Sequence, residues 1–141
     1  MAMQLNIKSV RTGHINSYWR LTACSIDAAT GNVQIVFSGY ADAATRAAGY
    51  APDDRRDWLL GGPAFATVAT AAASGATVYD VVANACYAIA KTMRRPVPDG
   101  TIKNPDGSLT LPTGETVAAA NVDESGQVPT IPSEFADAVS V

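Results

Sequence analysis

Two stretches in which apolar and polar residues alternate constrain the fold of this chain more than any other feature of its sequence. Residues 18–26 and 33–40 each place three apolar side chains on one side: Trp19, Leu21 and Ala23 in the first, Val33, Ile35 and Phe37 in the second. A period of two indicates β-strands with one buried face. Gly31, near the end of the short loop between them, supplies the positive φ that closes a type I turn with a G1 bulge. The sequence therefore predicts a β-hairpin.

Shorter segments complete the predicted sheet. Residues 3–10 are predicted to form a first strand, which a turn separates from the hairpin. Asp42 is a natural cap for a short alanine-rich helix after the hairpin. Residues 52–57 are mostly charged, so we expect a solvated loop whose charges neutralise one another, followed by a candidate third strand at residues 58–60.

Two helices are predicted to pack on this sheet, at about residues 64–73 and 78–94. Thr77, with Asp80 three residues later, suits the N-cap of the second helix. Apolar residues recur on one of its faces at spacings of three and four: Val78, Val82, Ala85, Ile89 and Met93, with Val81 and Cys86 beside them. Cations occupy its predicted last turn before Pro96 ends it. The predicted fold class is α+β, a small antiparallel sheet covered by one or two helices.

The sequence changes character after Pro96. Gly, Pro, Thr, Asp and Ser dominate there, and apolar residues come singly. So much irregular chain is uncommon inside a compact domain. We therefore divide the chain into a compact α+β domain, residues 1–95 (the body), and an extended acidic C-terminal arm, residues 96–141 (the arm). Within the arm, residues 101–111 are predicted to form a small hairpin, residues 114–122 a further strand, and Ser133 the cap of a terminal turn.

Two interpretations of the arm remain open: a disordered tail, or an arm ordered by the surface on which it lies. Its apolar residues are too many for a purely disordered tail, which favours the second interpretation. On that interpretation six side chains are candidate contacts with a partner: Ile102, Leu109, Leu111, Val128, Ile131 and Phe135. Deletion of the arm is then expected to leave the body folded and to impair assembly.

Charge is scarce and unevenly distributed along the chain. Charged residues make up 16% of the sequence and the net charge is −3, which argues against sequence-independent binding of nucleic acid. The body carries nine Lys/Arg against six Asp/Glu, net +3, and the arm one Lys against seven Asp/Glu, net −6. Body and arm therefore attract one another, within one chain or between neighbouring copies. A surface so poor in charge indicates either covered faces or the amino-acid usage of a GC-rich genome.

No arrangement of residues predicts catalysis, a cofactor or a metal site. His14, the only histidine, lies in a predicted turn without a second histidine at metal-binding spacing. Four residues fall at EF-hand positions, but Leu109 stands where the calcium loop needs glycine, so a plain turn is the better interpretation; the four are Asn104, Asp106, Ser108 and Glu115.

The cysteines and the aromatic residues are expected to have structural roles. Cys24 and Cys86 match no metal or redox spacing, and we expect two free thiols in the core. Tyr18, Trp19 and Tyr40 are expected to be core and cross-strand residues rather than a platform for a sugar or a base. The first ten residues are too polar for a signal peptide, and no apolar run has the ~20 residues that cross a bilayer.

Four motifs follow one another within residues 3–93. They are Tyr18-Trp19-Arg20-Leu21, the strand that ends in Gly39-Tyr40, the segment Ala44-Thr45-Arg46-Ala47-Ala48-Gly49, and Tyr87-Ala88-Ile89-Ala90-Lys91. In pattern and spacing this series resembles a group of small structural proteins of tailed bacteriophages. The resemblance implies a structural role in a virion, and it extends to no part of the arm.

The resemblance leads us to expect a non-enzymatic structural subunit of a tailed-phage virion, assembled in the host cytoplasm. It would act through protein–protein contacts in the tail, tail tip or neck, with other copies of itself and neighbouring virion proteins as partners. One alternative is a capsid decoration protein that clamps capsomers with its arm, and another is a small enzyme or ligand-binding domain. Nucleic acid, a membrane and a small-molecule ligand are not expected as partners.

Overall fold

A five-stranded antiparallel sheet forms the centre of the protein. The structure, a computed structural model, describes residues 2–9, 11–74 and 78–140, and the side chains of residues 78–81 lie outside that description. In spatial order the strands are β10 (Val139–Ser140), β1 (Met3–Lys8), β2 (Ile15–Asp27), β3 (Asn32–Tyr40) and β4 (Asp54–Leu60). With helices against one face of this sheet, the predicted α+β class is confirmed.

The predicted hairpin is confirmed and consists of β2 and β3. Gly31 has a φ of 67° in the connecting turn. The three residues predicted to face the core on β3 are fully buried: Val33, Ile35 and Phe37. A register shift between Leu21 and Ala23 inserts an extra residue into β2, after which side chains exchange faces. The prediction that Ala23 faces the core is therefore wrong, and Cys24 packs there instead.

The prediction of a solvated loop at residues 52–57 is wrong, because β4 begins at Asp54 and pairs with β3 as far as Leu60. Its side chains alternate between half-buried and exposed, with Arg56 on the inner side. An edge strand accommodates charge, since one of its sides has no strand to pair with. In the sequence, charged residues of the inner and outer faces of β4 follow one another directly. The alternation of half-buried and exposed positions was therefore not recognisable.

Three α-helices are found in the described residues, and the short one behaves as predicted. Helix α1 (Ala43–Ala47) begins at Asp42, whose carboxylate accepts a hydrogen bond from the Thr45 N–H (2.7 Å). Helices α2 (Gly62–Ala73) and α3 (Val78–Thr92) pack against the inner face of the sheet. The predicted N-cap Thr77 and the side chain of its partner Asp80 lie outside the described residues.

The buried face of α3 is rotated relative to the predicted stripe and shares Val82 and Cys86 with it, while the side chains of Val78 and Val81 lie outside the description. Its buried side chains are Val82, Ala83, Cys86, Tyr87 and Ala90, while Ala85 and Ile89 are only partly buried. Tyr87 enters the core because its hydroxyl accepts a hydrogen bond from the Leu21 N–H (3.0 Å). Apolar spacing alone does not reveal a buried tyrosine with a polar partner.

Helix α3 ends at Thr92, two residues before the predicted end. The next residues form β5 (Arg94–Pro96), which pairs with β9 (Thr130–Pro132). The guanidinium group of Arg94 donates to the carbonyls of Asn121 and Thr130, both at 2.8 Å. These distant contacts favour an extended backbone over another helical turn.

The arm contains a small three-stranded sheet of β6 (Ile102–Lys103), β7 (Leu109–Thr110) and β8 (Thr116–Val117). This confirms the predicted hairpin. Of the strand predicted at residues 114–122, only Thr116–Val117 is found, and Ala119–Asn121 form a short 3-10 helix instead. The sheet packs its apolar side chains into a second core, whose buried members are Leu109, Leu111, Val117 and Ile131.

Beyond its small sheet, the arm returns to the body and completes it. β9 pairs with β5, and β10 pairs with β1 through Met3↔Ser140 and Gln4↔Val139. Ser133 caps the terminal turn by accepting a hydrogen bond from the Phe135 N–H (3.1 Å). The ordering surface expected for the arm is therefore the body of the same chain.

Candidate interaction surface

Half-buried charges join the arm to the sheet. Arg56 contacts Asp54 (2.9 Å) and Glu134, and these two acids expose only 12% and 15% of their side chains. Arg95 reaches Glu115 (3.3 Å) and Glu134 (4.0 Å). The attraction expected from the opposite net charges of body and arm is thus satisfied within one chain.

Phe135 anchors the arm in the core of the body. It is fully buried, with its ring centroid 5.2 Å from that of Trp19, 5.7 Å from that of Trp58 and 5.8 Å from that of Phe37. Edge-to-face and tilted contacts of this kind stabilise aromatic pairs by about 0.5–1.5 kcal/mol beyond the burial of their surface. An aromatic side chain in this position belongs to the fold of the chain.

Four of the six residues predicted to contact a partner have to be reassigned: Leu109, Leu111, Ile131 and Phe135. All four are buried among side chains of their own chain, so they offer no surface to another protein. Ile102 and Val128 remain candidates, because 64% and 58% of their surface is exposed. Single apolar residues alternate in the same way in a strand that packs on its own body and in one that packs on a neighbouring subunit. The sequence therefore did not distinguish contacts within the chain from contacts with a partner.

Other large apolar side chains are exposed on the body. They are Ile15, Ile26, Tyr50 and Leu59, together with Val139 at the end of the arm. Leu59 is 72% exposed on the edge strand β4. These side chains lie on several separate elements, and singly scattered exposed apolar residues are common on protein surfaces.

A groove of about 700 Å³ lies where the arm meets β1. Its lining includes four consecutive residues of β1, Leu5 to Lys8, and on the side of the arm Leu111 and Pro112. The sequence analysis missed this groove. The groove depends on where β10 begins, at Val139, and a strand of only two residues has no recognisable sequence pattern.

The only histidine of the sequence, in the turn between β1 and β2, contacts an aspartate. His14 is 77% exposed, and its Nδ1 lies 3.7 Å from Asp53 Oδ1. The hydroxyl of Thr12 donates to Asp53 Oδ2 (2.8 Å) and, with a smaller contribution from Asn16, lowers the pKa of that carboxyl. The group fixes the turn between β1 and β2, in line with the turn role expected for His14.

The residues at EF-hand positions close a turn with their own side chains. Asp106 Oδ1 accepts hydrogen bonds from the N–H (2.9 Å) and the hydroxyl (2.6 Å) of Ser108, which lower the pKa of Asp106. Asn104 donates to the Ser108 hydroxyl (3.0 Å). Within the described part of the chain, no three His, Cys, Asp or Glu side chains are grouped as metal ligands.

The two cysteines, 62 residues apart in sequence, meet between β2 and α3. Both are free thiols, and the Cys86 Sγ lies 3.6 Å from the Cys24 Sγ. Burial, and then the neighbouring Cys24, raise the pKa of the Cys86 thiol to about 12. Cys86 is therefore protonated at neutral pH, and a thiol in that state is a poor nucleophile.

The three aromatic residues considered as a platform do not share a surface. Trp19 is fully buried on the inner face of the sheet, where its Nε1 donates to the Asn16 carbonyl (3.2 Å). Tyr18 and Tyr40 pair across β2 and β3, with ring centroids 6.5 Å apart. Neighbouring positions on a strand point to opposite faces, so Trp19 and Tyr18 cannot hold one ligand together.

The chain matches no family model, no curated protein and no solved structure. The resemblance to phage structural proteins thus depends on the residues of the four motifs. None of the helices in the described residues is long and apolar enough to span a membrane.

Proposed function

We propose that this chain is a non-enzymatic structural subunit of a tailed-phage virion that acts through protein–protein contacts in the tail, tail tip or neck. The observation that carries the proposal is that residues of the shared motifs contact one another. The Trp19 ring lies against Gly39, and the Tyr87 hydroxyl accepts from the Leu21 N–H. Motif residues that contact one another in this way serve to hold the fold together, which is the role expected of motifs in a structural protein.

The surface supports the same proposal. Exposed apolar side chains occur on the body and on the arm, among them Leu59, Ile102 and Val128. Charged residues are only 16% of the sequence, against ~25% in ordinary soluble domains. In a symmetric assembly, neighbouring subunits cover such surfaces.

Quantitative mass spectrometry of purified virions tests the proposal. We expect peptides of this chain at about six or about twelve copies per particle, the numbers that the symmetry of tail and neck allows. Copies in the hundreds would instead indicate the capsid decoration protein, for which the exposed Ile102 and Val128 on the arm are candidate contacts. Absence from particles that package the gene would contradict both.

A further inference from the structure

The edge of β1 is open beside the groove. β10 pairs only with Met3 and Gln4, and no other strand of the described residues pairs with that side of β1. Four consecutive residues, Leu5 to Lys8, line the groove. Successive side chains of a strand point to opposite faces, so a cavity over one face would be lined by every second residue. The groove therefore runs along the hydrogen-bonding edge of the strand.

The size and lining of the groove suit an extended peptide. Four residues of a strand are ~13 Å long, and the volume of about 700 Å³ lies within the ~300–1,000 Å³ of ligand pockets. The half-buried Leu5 and Ile7, which share one face of β1, and the exposed Pro112 of the arm supply apolar surface. Backbone groups of the open edge can pair with a peptide while these side chains contact every second residue of it.

Two charges near the ends of this edge define the polarity of the peptide. Lys8 ends β1, and Asp137 precedes β10, which places it toward the Leu5 end; both line the groove. Neither forms an ion pair with any other residue that the structure describes, and the same holds for Asp99 on the arm side of the groove. The other charged residues of the lining are paired: Arg56, Arg95, Glu115 and Glu134. A peptide antiparallel to β1 begins near Lys8 and ends near Asp137. Charge complementarity then calls for an acidic residue at the start of the peptide, near Lys8, and a basic residue at its end, near Asp137.

We propose that the open edge of β1 accepts an extended strand from another protein, with an acidic residue, two alternate apolar residues and a basic residue in that order. The inference rests on the proposed function in that it names one contact by which the subunit would assemble. The bound strand would be the sixth strand of the sheet, placed between the start of β10 at Val139 and the turn after β1.

Fluorescence anisotropy with the full chain and the labelled peptide acetyl-Ser-Asp-Val-Thr-Val-Lys-Ser-amide tests this proposal. We expect saturable binding, about fivefold tighter than for the peptide with Asp and Lys exchanged, from two exposed ion pairs. A peptide N-methylated at its central backbone positions is expected to lose binding. Equal affinity of the N-methylated peptide would overturn the proposal.

The double variant Lys8→Glu/Asp137→Lys should invert the preference between the two peptides, and both changes are at exposed positions, so folding is retained. An unchanged preference would contradict the proposed polarity. If the chain forms a dimer that the Asn6→Pro substitution dissociates, the β1 edge is occupied by a second copy of the chain. That result would overturn the proposal of a strand from another protein. If the chain is present in virions but does not bind the peptide, only the proposal for the groove is refuted. If the chain binds the peptide but is absent from virions, only the proposed function is refuted.

Discussion

Trp19 contacts the sheet, the arm and a cation at once. A Cβ added at Gly39 would lie 2.7 Å from its ring, Phe135 packs against it, and the Arg56 guanidinium carbon lies 5.2 Å from its ring centroid. Glycine in a strand allows this close approach. The Gly39-Tyr40 motif is thus explained by packing.

We expect Gly39→Ala to lower the free energy of unfolding by about 1–3 kcal/mol, because the new methyl group overpacks the core. Gly126→Ala is the matched control, since its Cβ meets only ordinary contact with the Val128 carbonyl, at 3.7 Å, and its expected effect is within ~0.5 kcal/mol. Urea denaturation measures both. Equal stabilities of the two variants would show that the Trp19 ring can move aside.

Arg56 is expected to contribute far more to stability than the adjacent Arg55. Arg56→Ala leaves Asp54 without its cation and Glu134 with only the more distant Arg95 (4.0 Å), at a cost of about 2–4 kcal/mol. Arg55 pairs with Asp57 in solvent, with 62% and 40% of the side chains exposed, so Arg55→Ala should cost at most ~1 kcal/mol. Urea midpoints with unchanged slopes compare the pair, and a similar loss in both variants would contradict the buried role of Arg56.

At the scale of elements, the contact between β2 and α3 brings the two thiols together. Because the pKa of Cys86 is raised to about 12, we expect native protein to react with a disulfide reagent at pH 8 through Cys24 alone. Both thiols should react in urea. The variant Cys24→Ser removes the native reaction, and a fast reaction of that variant would contradict the burial of Cys86.

Aspartates that close turns set the acid limit of the fold. Hydrogen bonds from Thr30 and Ala29 lower the pKa of Asp27, and those from Thr45 lower the pKa of Asp42, below the usual range of an aspartate. The ionised form then favours the folded state, so stability is present above pH ~4 and falls as the pH drops below it. We expect the melting temperature to fall between pH 4 and lower pH, and to fall less steeply in Asp27→Asn. An identical pH profile in that variant would contradict this role.

Local patterns predicted those elements whose determinants are local. The hairpin, the capped helix at Asp42 and the small arm hairpin follow from alternation, turn glycine and cap. The strand at residues 54–57 and the helix end at Thr92 depend on distant partners, namely Glu134 for Arg56 and Thr130 for Arg94. The groove beside β1 depends on the length of β10, which no local pattern encodes.

At the scale of the whole molecule, body and arm share one core, so the arm is expected to be necessary for the fold. Deletion of residues 96–141 removes Phe135 from the aromatic cluster, β9 from β5 and β10 from β1. We therefore expect a chain of residues 1–95 to lose cooperative unfolding and near-ultraviolet circular dichroism, the reverse of the prediction made from the sequence.

Point variants separate this role of the arm from a mere effect of truncation. Phe135→Ala in the full chain should cost about 3–5 kcal/mol, as for other buried phenylalanines, whereas Val128→Ala, at an exposed site of the same arm, should change stability by less than ~0.5 kcal/mol. Thermal and urea unfolding measure both. If residues 1–95 unfold cooperatively at the same midpoint as the full chain, the arm is not part of the core, and its contacts are free to pass to a neighbouring subunit.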